Sequence, residues 1–451
     1  MNAKPSESVT PARRAAFDIL TRVEARRGYA SALIAELPES ILSHEDRALA
    51  QEITLGTLRW RRSLDYFIER YSGRSISRLD APVLIALRVG LYQLRHLTRI
   101  PQSAAVNQSV NLVKRARVAS AASMVNAVLR EAARRLNEIP GEGIAEPLER
   151  ASVELSHPRW MLERWRSVFG EQETRLLAVA NNTPPTTAFR VNTLRTPVKQ
   201  ALADLGAEGV IVRESQVASG AYIVKSGPAS AIAQAARRGA IYVQDEASQL
   251  VSILLDPQSG HRVLDLCAAP GSKTSHIAAL ADDKAWVVAC DRHHRRLTTL
   301  RATCERLGAG SVDAVALDAT SALPFVAGGD EFDRVLADAP CSGTGTLRGN
   351  PEIKWRLSTE DLNRLAELQL SVLERAASSV AVGGRLVYST CSIEREENED
   401  VVRRFLEKAP QFRVIELNAP AGLITRDGFL RTFPHRDGAD GFFAAALERA
   451  C

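Results

Sequence analysis

Arg262-Val263-Leu264-Asp265-Leu266-Cys267-Ala268-Ala269-Pro270-Gly271-Ser272-Lys273-Thr274 decides the fold of the C-terminal half of this chain. Residues 262–266 read as a short buried strand, and the small residues that follow turn the chain into a helix. A helix opening directly after a strand aims its N-terminal amides at the space beyond the strand end. The pattern recurs at 285–290, 312–317, 332–337 and 384–389, the last after a long helix opened by Ser358 with Asp361 as capping partner. Such alternation predicts a parallel, doubly wound α/β sheet of the Rossmann-like class, with ligands bound outside the carboxyl ends of its strands.

The informative residues therefore sit at those ends. The turn Cys267, Ala268, Ala269, Pro270, Gly271, Ser272, Lys273 is neither Gly-x-Gly-x-x-Gly nor a Walker loop, so nicotinamide hydride transfer and phosphoryl transfer both lose ground. Asp291 ends the second strand, at the spacing from Asp265 at which an acid reaches ribose hydroxyls. Asp318 ends the third, placed for an adenine amino group, and Asp338 ends the fourth. One acid at a strand end is ordinarily a cap or turn residue. Acids at successive ends, with nothing arranged for a pyrophosphate, point to S-adenosylmethionine.

The 451 residues are 45% hydrophobic and 25% charged, which suits two or three globular domains. None of the six cysteines forms a Cys-x-x-Cys pair, which argues against zinc ribbons and thioredoxin-like sites and fits a reducing compartment. No signal-like segment is evident, and no apolar run approaches the ~18–20 residues of a membrane span. The expectation is a cytoplasmic monomer without metal. The net charge of +5 is uneven: residues 1–140 hold 22 basic and 13 acidic side chains, the remainder 36 and 40. A basic N-terminal module points to a nucleic-acid partner, although a solvated arginine-rich surface accounts for the charge equally well.

Residues 11–137 read as helices only. Ala15, Ile19, Leu20 and Val23 share a face after Pro11; Ser43 and Asp46 form a capping pair; Asp80 and Pro82 open 83–97; 104–117 and 121–136 follow. Pro140-Gly141-Glu142-Gly143 reads as a linker. The division expected is 1–140, an all-α bundle; 141–235, a linker and small α+β insert with a strand at 187–192 and a helix at 197–205; and 236–451, the α/β domain.

Two cysteines follow strands in the same half of that sheet: Cys341 in Asp338-Ala339-Pro340-Cys341-Ser342-Gly343-Thr344-Gly345, and Cys391 in Tyr388-Ser389-Thr390-Cys391-Ser392. Together they suggest covalent chemistry at a shared site. With 265–274, Asn350-Pro351-Glu352-Ile353-Lys354-Trp355, Thr390-Cys391-Ser392-Ile393-Glu394-x-x-Glu397-Asn398-Glu399 and Pro434-His435-Arg436-Asp437-Gly438-x-Asp440-Gly441-Phe442-Phe443, these motifs resemble the NOL1/NOP2/Sun family of RNA cytosine-5 methyltransferases. The N-terminal stretches 101–110 and 125–130 resemble the NusB-type RNA-binding fold. The fusion points to the Sun/Fmu group, which acts on a cytosine of 16S ribosomal RNA. The resemblance implies an N-terminal NusB-like domain and a class I methyltransferase domain. It also implies Cys391 as nucleophile, Cys341 as the residue assisting product release, and Asp338 as the base contact beside the cofactor. Departures are Ser272 where the family has Gly, Gln108 for Glu, and Gly349-Asn350 for an Arg-His pair. The same chemistry on transfer RNA, or a non-catalytic RNA-binding role, are the alternatives; the intact cysteine pair argues against the second.

Smaller features read more plainly. Cys290 and Cys304 are packing residues and Cys451 is incidental. Trp60, Trp160 and Trp165 read as core anchors; Trp355, beside Lys354 and closer to the chemistry, reads as core packing with a substrate role as the alternative; and His293-His294 starts a surface helix. The clusters Arg13-Arg14, Arg26-Arg27 and 59–62 are either phosphate contacts or solvated charge.

Overall fold

The computed structural model describes residues 8–38, 41–324 and 331–450. The chain divides into two compact units: one runs up to Pro184 and includes Leu347–Arg356, the other comprises Pro185–Thr346 and everything from Leu357.

The first unit is helical. Pro11–Glu24, His44–Arg59, Arg61–Ser72, Ala81–His96, Gln102–Arg115 and Ala122–Arg134 enclose one apolar core. Ala81–His96 is its axis: every residue from Val83 to Leu94 is buried. Burying Arg88 there requires a partner, and Asp65 accepts from its Nε and Nη2 at 2.7 and 2.8 Å. Ser43 caps as expected, its side chain accepting from the Asp46 amide at 3.1 Å. Pro140-Gly141-Glu142-Gly143 forms a turn with Gly141 and Gly143 at φ +81° and +85°, which suits glycine. Three helices follow it, Pro147–Glu154, Arg159–Phe169 and Glu171–Asn181, where the sequence predicts a linker and a small α+β insert. They bury Leu148, Val153, Met161, Leu162, Trp165 and Leu177.

Two arginines change meaning. Arg13 and Arg59 are buried, Arg13 donating to Gln93 Oε1 at 2.7 Å and Arg59 to the Arg348 carbonyl at 2.8 Å. They are structural and not phosphate contacts. Leu347–Arg356 lies in this unit's interior. Lys354 is fully buried, and its Nζ donates to the carbonyls of Arg59 and Ser156 and to Asn182 Oδ1, at 3.0, 2.8 and 3.1 Å. Burial, then the nearby Arg59 charge, push this ammonium well below its ordinary pKa. Trp355 Nε1 donates to the Leu58 carbonyl at 2.7 Å, a core role as expected.

The second unit holds two sheets. The smaller is β1 (Ala188–Val191), β2 (Ile211–Glu214), β3 (Ala221–Ser226) and β4 (Ile241–Val243), antiparallel in the order β2-β3-β1-β4. Val198–Ala207 and Ala229–Arg237 cover one face, packing Leu205 and Ile232 on Phe189 and Ile241.

The larger sheet comprises β5 (Arg262–Asp265), β6 (Trp286–Asp291), β7 (Val312–Ala316), β8 (Phe332–Asp338), β9 (Val380–Thr390), β10 (Phe412–Val414), β11 (Leu430–Arg431) and β12 (Phe443–Arg449). Its order is β10-β12-β9-β8-β5-β6-β7, with β11 beside β12. β5 to β9 are parallel, as expected; β10, β11 and β12 add an antiparallel edge, so the sheet is mixed. Alternation sorts the core: Val263, Leu336 and Val387 face Leu250, Val251 and Leu254 on one side. Leu264, Val335 and Leu386 face Leu370 and Leu373 of Thr359–Ala377 on the other. That helix opens with the Ser358–Asp361 capping box. Strand order reverses between β5 and β8, the switch point at which open sheets bind ligands.

Replacing Lys354 with Met leaves three buried oxygens without their donor. Chemical denaturation should show a loss of about 3 kcal/mol; an unchanged midpoint would show that these bonds contribute nothing net.

Candidate active site

The carboxyl ends of β5, β6, β8 and β9 meet at the switch point. Asp265 closes β5 and is 1% exposed; its Oδ2 accepts from Thr274 Oγ1 at 2.8 Å, while Oδ1 is buried without a hydrogen-bond partner. Burial lifts this carboxyl to about 7, the Thr274 bond opposing. The turn then packs Ala268 and Ala269 inside, and Gly271 opens the helix Ser272–Leu280 at φ +100°, where a Cβ would press on Leu300 at 3.2 Å.

Lys273, in the first turn of that helix, donates from Nζ to Asp338 Oδ2 at 2.7 Å. Burial works against the ammonium, but Asp338, with Cys391 and Asp265, leaves Lys273 above its ordinary pKa. Ser389 Oγ donates to the other Asp338 oxygen at 2.7 Å. The last residues of β8 and β9 and the first turn after β5 are thus joined through one carboxylate.

Just beyond lie the two cysteines, both half-buried, with their sulfurs 3.3 Å apart. The contact with Cys391, burial, and then the charges of Cys391, Glu397 and Asp338 push the Cys341 thiol well above its usual range. Glu397, fully buried, lies behind them and receives hydrogen bonds from Ser342, Ser392 and Gln369. Sequence reasoning gave Glu397 no role; its motif position was the available signal.

On the other side, a cavity of about 200 Å³ is lined by Cys267, Asp291, Asp318 and Thr320 together with apolar Leu317, Pro340, Leu368 and Val372. Asp291 accepts from the His293 amide at 2.8 Å and pairs with Arg296 at 3.0 Å. Asp318 accepts from the Thr320 amide and hydroxyl at 3.0 and 2.7 Å, bonds that hold its carboxyl below the usual range. Of the sequence-derived cofactor candidates, the cavity brings together Cys267, Asp291 and Asp318. Lys273 and Asp338 stand on the cysteine side, and Ala268, Ala269, Pro270, Gly271 and Ser272 shape the turn. The set fits S-adenosylmethionine: carboxylates for hydroxyl and amino donors, an apolar slot for a flat ring, and no built cradle for phosphate. Cys290 and Cys304 are buried in the core, His293 precedes a surface helix, and Cys451 lies outside the described residues. Among the described residues no helix is long and apolar enough to cross a membrane, and no three His, Cys, Asp or Glu side chains are placed to hold a metal.

A stability experiment checks the Asp265 environment. The folded chain keeps the Asp265 proton to about pH 7, whereas an unperturbed aspartate releases it near 3.8. Between those values the folded state binds more protons, so stability falls as pH rises. Asp265→Asn should remove that fall, with a difference on the order of a few kcal/mol by pH 7. Parallel stability curves over pH 4–7 would contradict this.

Three family models match. The 16S rRNA methyltransferase RsmB/F model covers residues 252–448, the NusB family 10–134, and the RsmF/B-like ferredoxin-like domain 157–229. A Bacillus subtilis protein, probable ribosomal RNA small subunit methyltransferase B, is 34% identical over 98% of this chain and 99% of its own. The Pseudomonas putida ribosomal RNA small subunit methyltransferase B is 35% identical over 92% and 93%. The crystal structure of PH0851 superposes with a TM-score of 0.84 at 30% identity, covering 99% of each chain. With the switch-point cleft and an N-terminal NusB domain in one polypeptide, the chain belongs to the 16S rRNA methyltransferase RsmB/F family and is an S-adenosylmethionine-dependent rRNA methyltransferase.

Proposed function

We propose that this protein methylates C5 of a cytosine in 16S ribosomal RNA through a covalent cysteine–C6 adduct. The observation that carries the reading is the 3.3 Å approach of Cys341 and Cys391 beside the Lys273–Asp338 pair. A reaction that needs only a base and a methyl donor has no use for two adjoining thiols. Cytosine C5 is a poor nucleophile, and sulfur addition at C6 makes it enamine-like.

Cys391 is the nucleophile. As the thiol proton passes to solvent, the S–C6 bond forms, the ring's 5,6 double bond opens and its electron pair moves to C5. Asp338, held by Lys273 and Ser389, presents its carboxylate to the amino edge of the base. Bound S-adenosylmethionine would supply an electrophilic methyl group on a sulfonium; Asp291 and Asp318 would hold its ribose and adenine, and the 267–273 turn would line the rest. Product forms when the C5–H bond breaks and its electron pair restores the 5,6 double bond, the proton passing to solvent, while the S–C6 pair returns to the Cys391 sulfur. Cys341, held as a thiol beside the departing sulfur, assists that release.

The supporting division of labour is a helical NusB-like RNA-binding part at 1–140, an RNA-binding segment at 141–235 and the methyltransferase part at 236–451. The enzyme works as a cytoplasmic monomer without metal. The target base must leave its stack to reach the thiols, at a cost of a few kcal/mol in a duplex and less in a loop.

Three substitutions test the roles. Cys391→Ala should give neither turnover nor adduct, and Cys341→Ala should accumulate a denaturation-resistant protein–RNA adduct. An adduct in Cys391→Ala would reverse the assignment. Asp291→Ala should weaken S-adenosylmethionine binding by calorimetry at least about tenfold, the loss of a charge-assisted hydrogen bond; unchanged affinity would remove Asp291 from the cofactor site.

A further inference from the structure

We propose that Glu397 is a positioning residue for Cys341: its carboxylate anchors the residue that follows this cysteine and so sets the separation of the two sulfurs. The inference deepens the reading above and rests on Cys341 acting in release.

The two cysteine loops are tied at one end by backbone. The Gly345 amide donates to the Cys391 carbonyl at 2.9 Å, and the Ile393 amide to Thr344 Oγ1 at 3.1 Å. Those bonds fix Cys391 and the far end of the other loop, three or four residues from Cys341. Next to Cys341 the anchor is different. The Ser342 amide donates to Glu397 Oε1 at 2.8 Å, and the Ser342 hydroxyl reaches Glu397 Oε2. Ser392, which follows Cys391, reaches the same Oε2, and the two hydroxyls lie 3.1 Å apart. Gln369, from the long helix Thr359–Ala377, donates at 2.8 Å to Oε1 and at 3.0 Å to the Pro340 carbonyl. Tyr388 donates to the Glu397 carbonyl, holding its backbone. One buried carboxylate therefore bridges the residue after each cysteine and is braced from a helix.

A buried carboxylate without a cation is costly, and four donors are what make it tolerable. Its charge has a second effect. The charged or titratable groups facing Cys341 are Cys391, Glu397 and Asp338, with Tyr388 packed beside them. Cys391, Glu397 and Asp338 disfavour a thiolate at Cys341.

The test reads the sulfur separation without RNA. Diamide joins two neighbouring thiols: an S–S bond forms, two S–H bonds break, and the azo group takes up both electrons and both protons. Peptide mapping of the treated full-length protein measures the rate for the Cys341–Cys391 pair. Glu397→Ala should lower that rate about tenfold or more, as expected for loss of preorganised approach. Glu397→Asp keeps the charge but falls one methylene short, so it should also be slow and covers the case in which Ala does not fold. Glu397→Gln keeps an acceptor for the Ser342 amide while its NH2 donates to the two hydroxyls; it should stay within about threefold of wild type. With RNA, Glu397→Asp should raise the ratio of adduct to turnover. Wild-type disulfide rates in both Ala and Asp, or a parallel loss of adduct and turnover, overturns the proposal. If Cys341→Ala itself traps no adduct, the release role fails, while the disulfide rates still decide the role of Glu397.

Discussion

The pairing of β8 with β9 is the constraint on which the site depends. Their parallel register sets Ala337 opposite Tyr388 and Asp338 opposite Ser389. The Ala339 amide continues it by donating to the Ser389 carbonyl at 2.9 Å. Cys341 and Cys391 follow that last pair by three and two residues, so the register brings residues fifty apart in sequence to one strand end, where their sulfurs lie 3.3 Å apart. The antiparallel edge closes the arrangement. A Cβ on Gly345 would stand 1.8 Å from the Gly441 carbonyl, so only glycine lets that segment pass. The register sets Asp338 beside Ser389, and both cysteines follow at the same strand end.

Much of this was legible in the sequence. The parallel strands are short apolar runs between turn signals, and of the acids that end them Asp291 and Asp318 line the cavity. The Ser358–Asp361 box announced its helix. What was not legible depended on tertiary partners. β12 carries Phe443-Ala444-Ala445-Ala446-Leu447, an alanine run with helical propensity that becomes a strand because β9 and β10 flank it. Arg13 and Arg59 looked like surface charge, and burial appears only when Gln93 and Arg348 are placed beside them. Glu397 was visible as a motif letter, but its meaning requires four donors from three separate segments.

The site also separates its tasks by electrostatics. Lys273 pairs with Asp338 near the two thiols, and the buried Glu397 carboxylate binds the residue that follows each of them. Asp265, lifted to about 7 by burial, adds a group that need not carry charge at the base of the cleft. Pro340 lines the cavity, and Cys341, the next residue, has its sulfur 3.3 Å from that of Cys391.

The central claim is that Cys391, and not Cys341, bonds to the base. Substituting 5-fluorocytidine in the RNA substrate arrests the reaction before release, because C5 then has no proton to lose. Digesting the arrested complex and sequencing the modified peptide by mass spectrometry identifies the attached sulfur. The account requires the nucleotide on the peptide containing Cys391; finding it on the peptide containing Cys341 would contradict it.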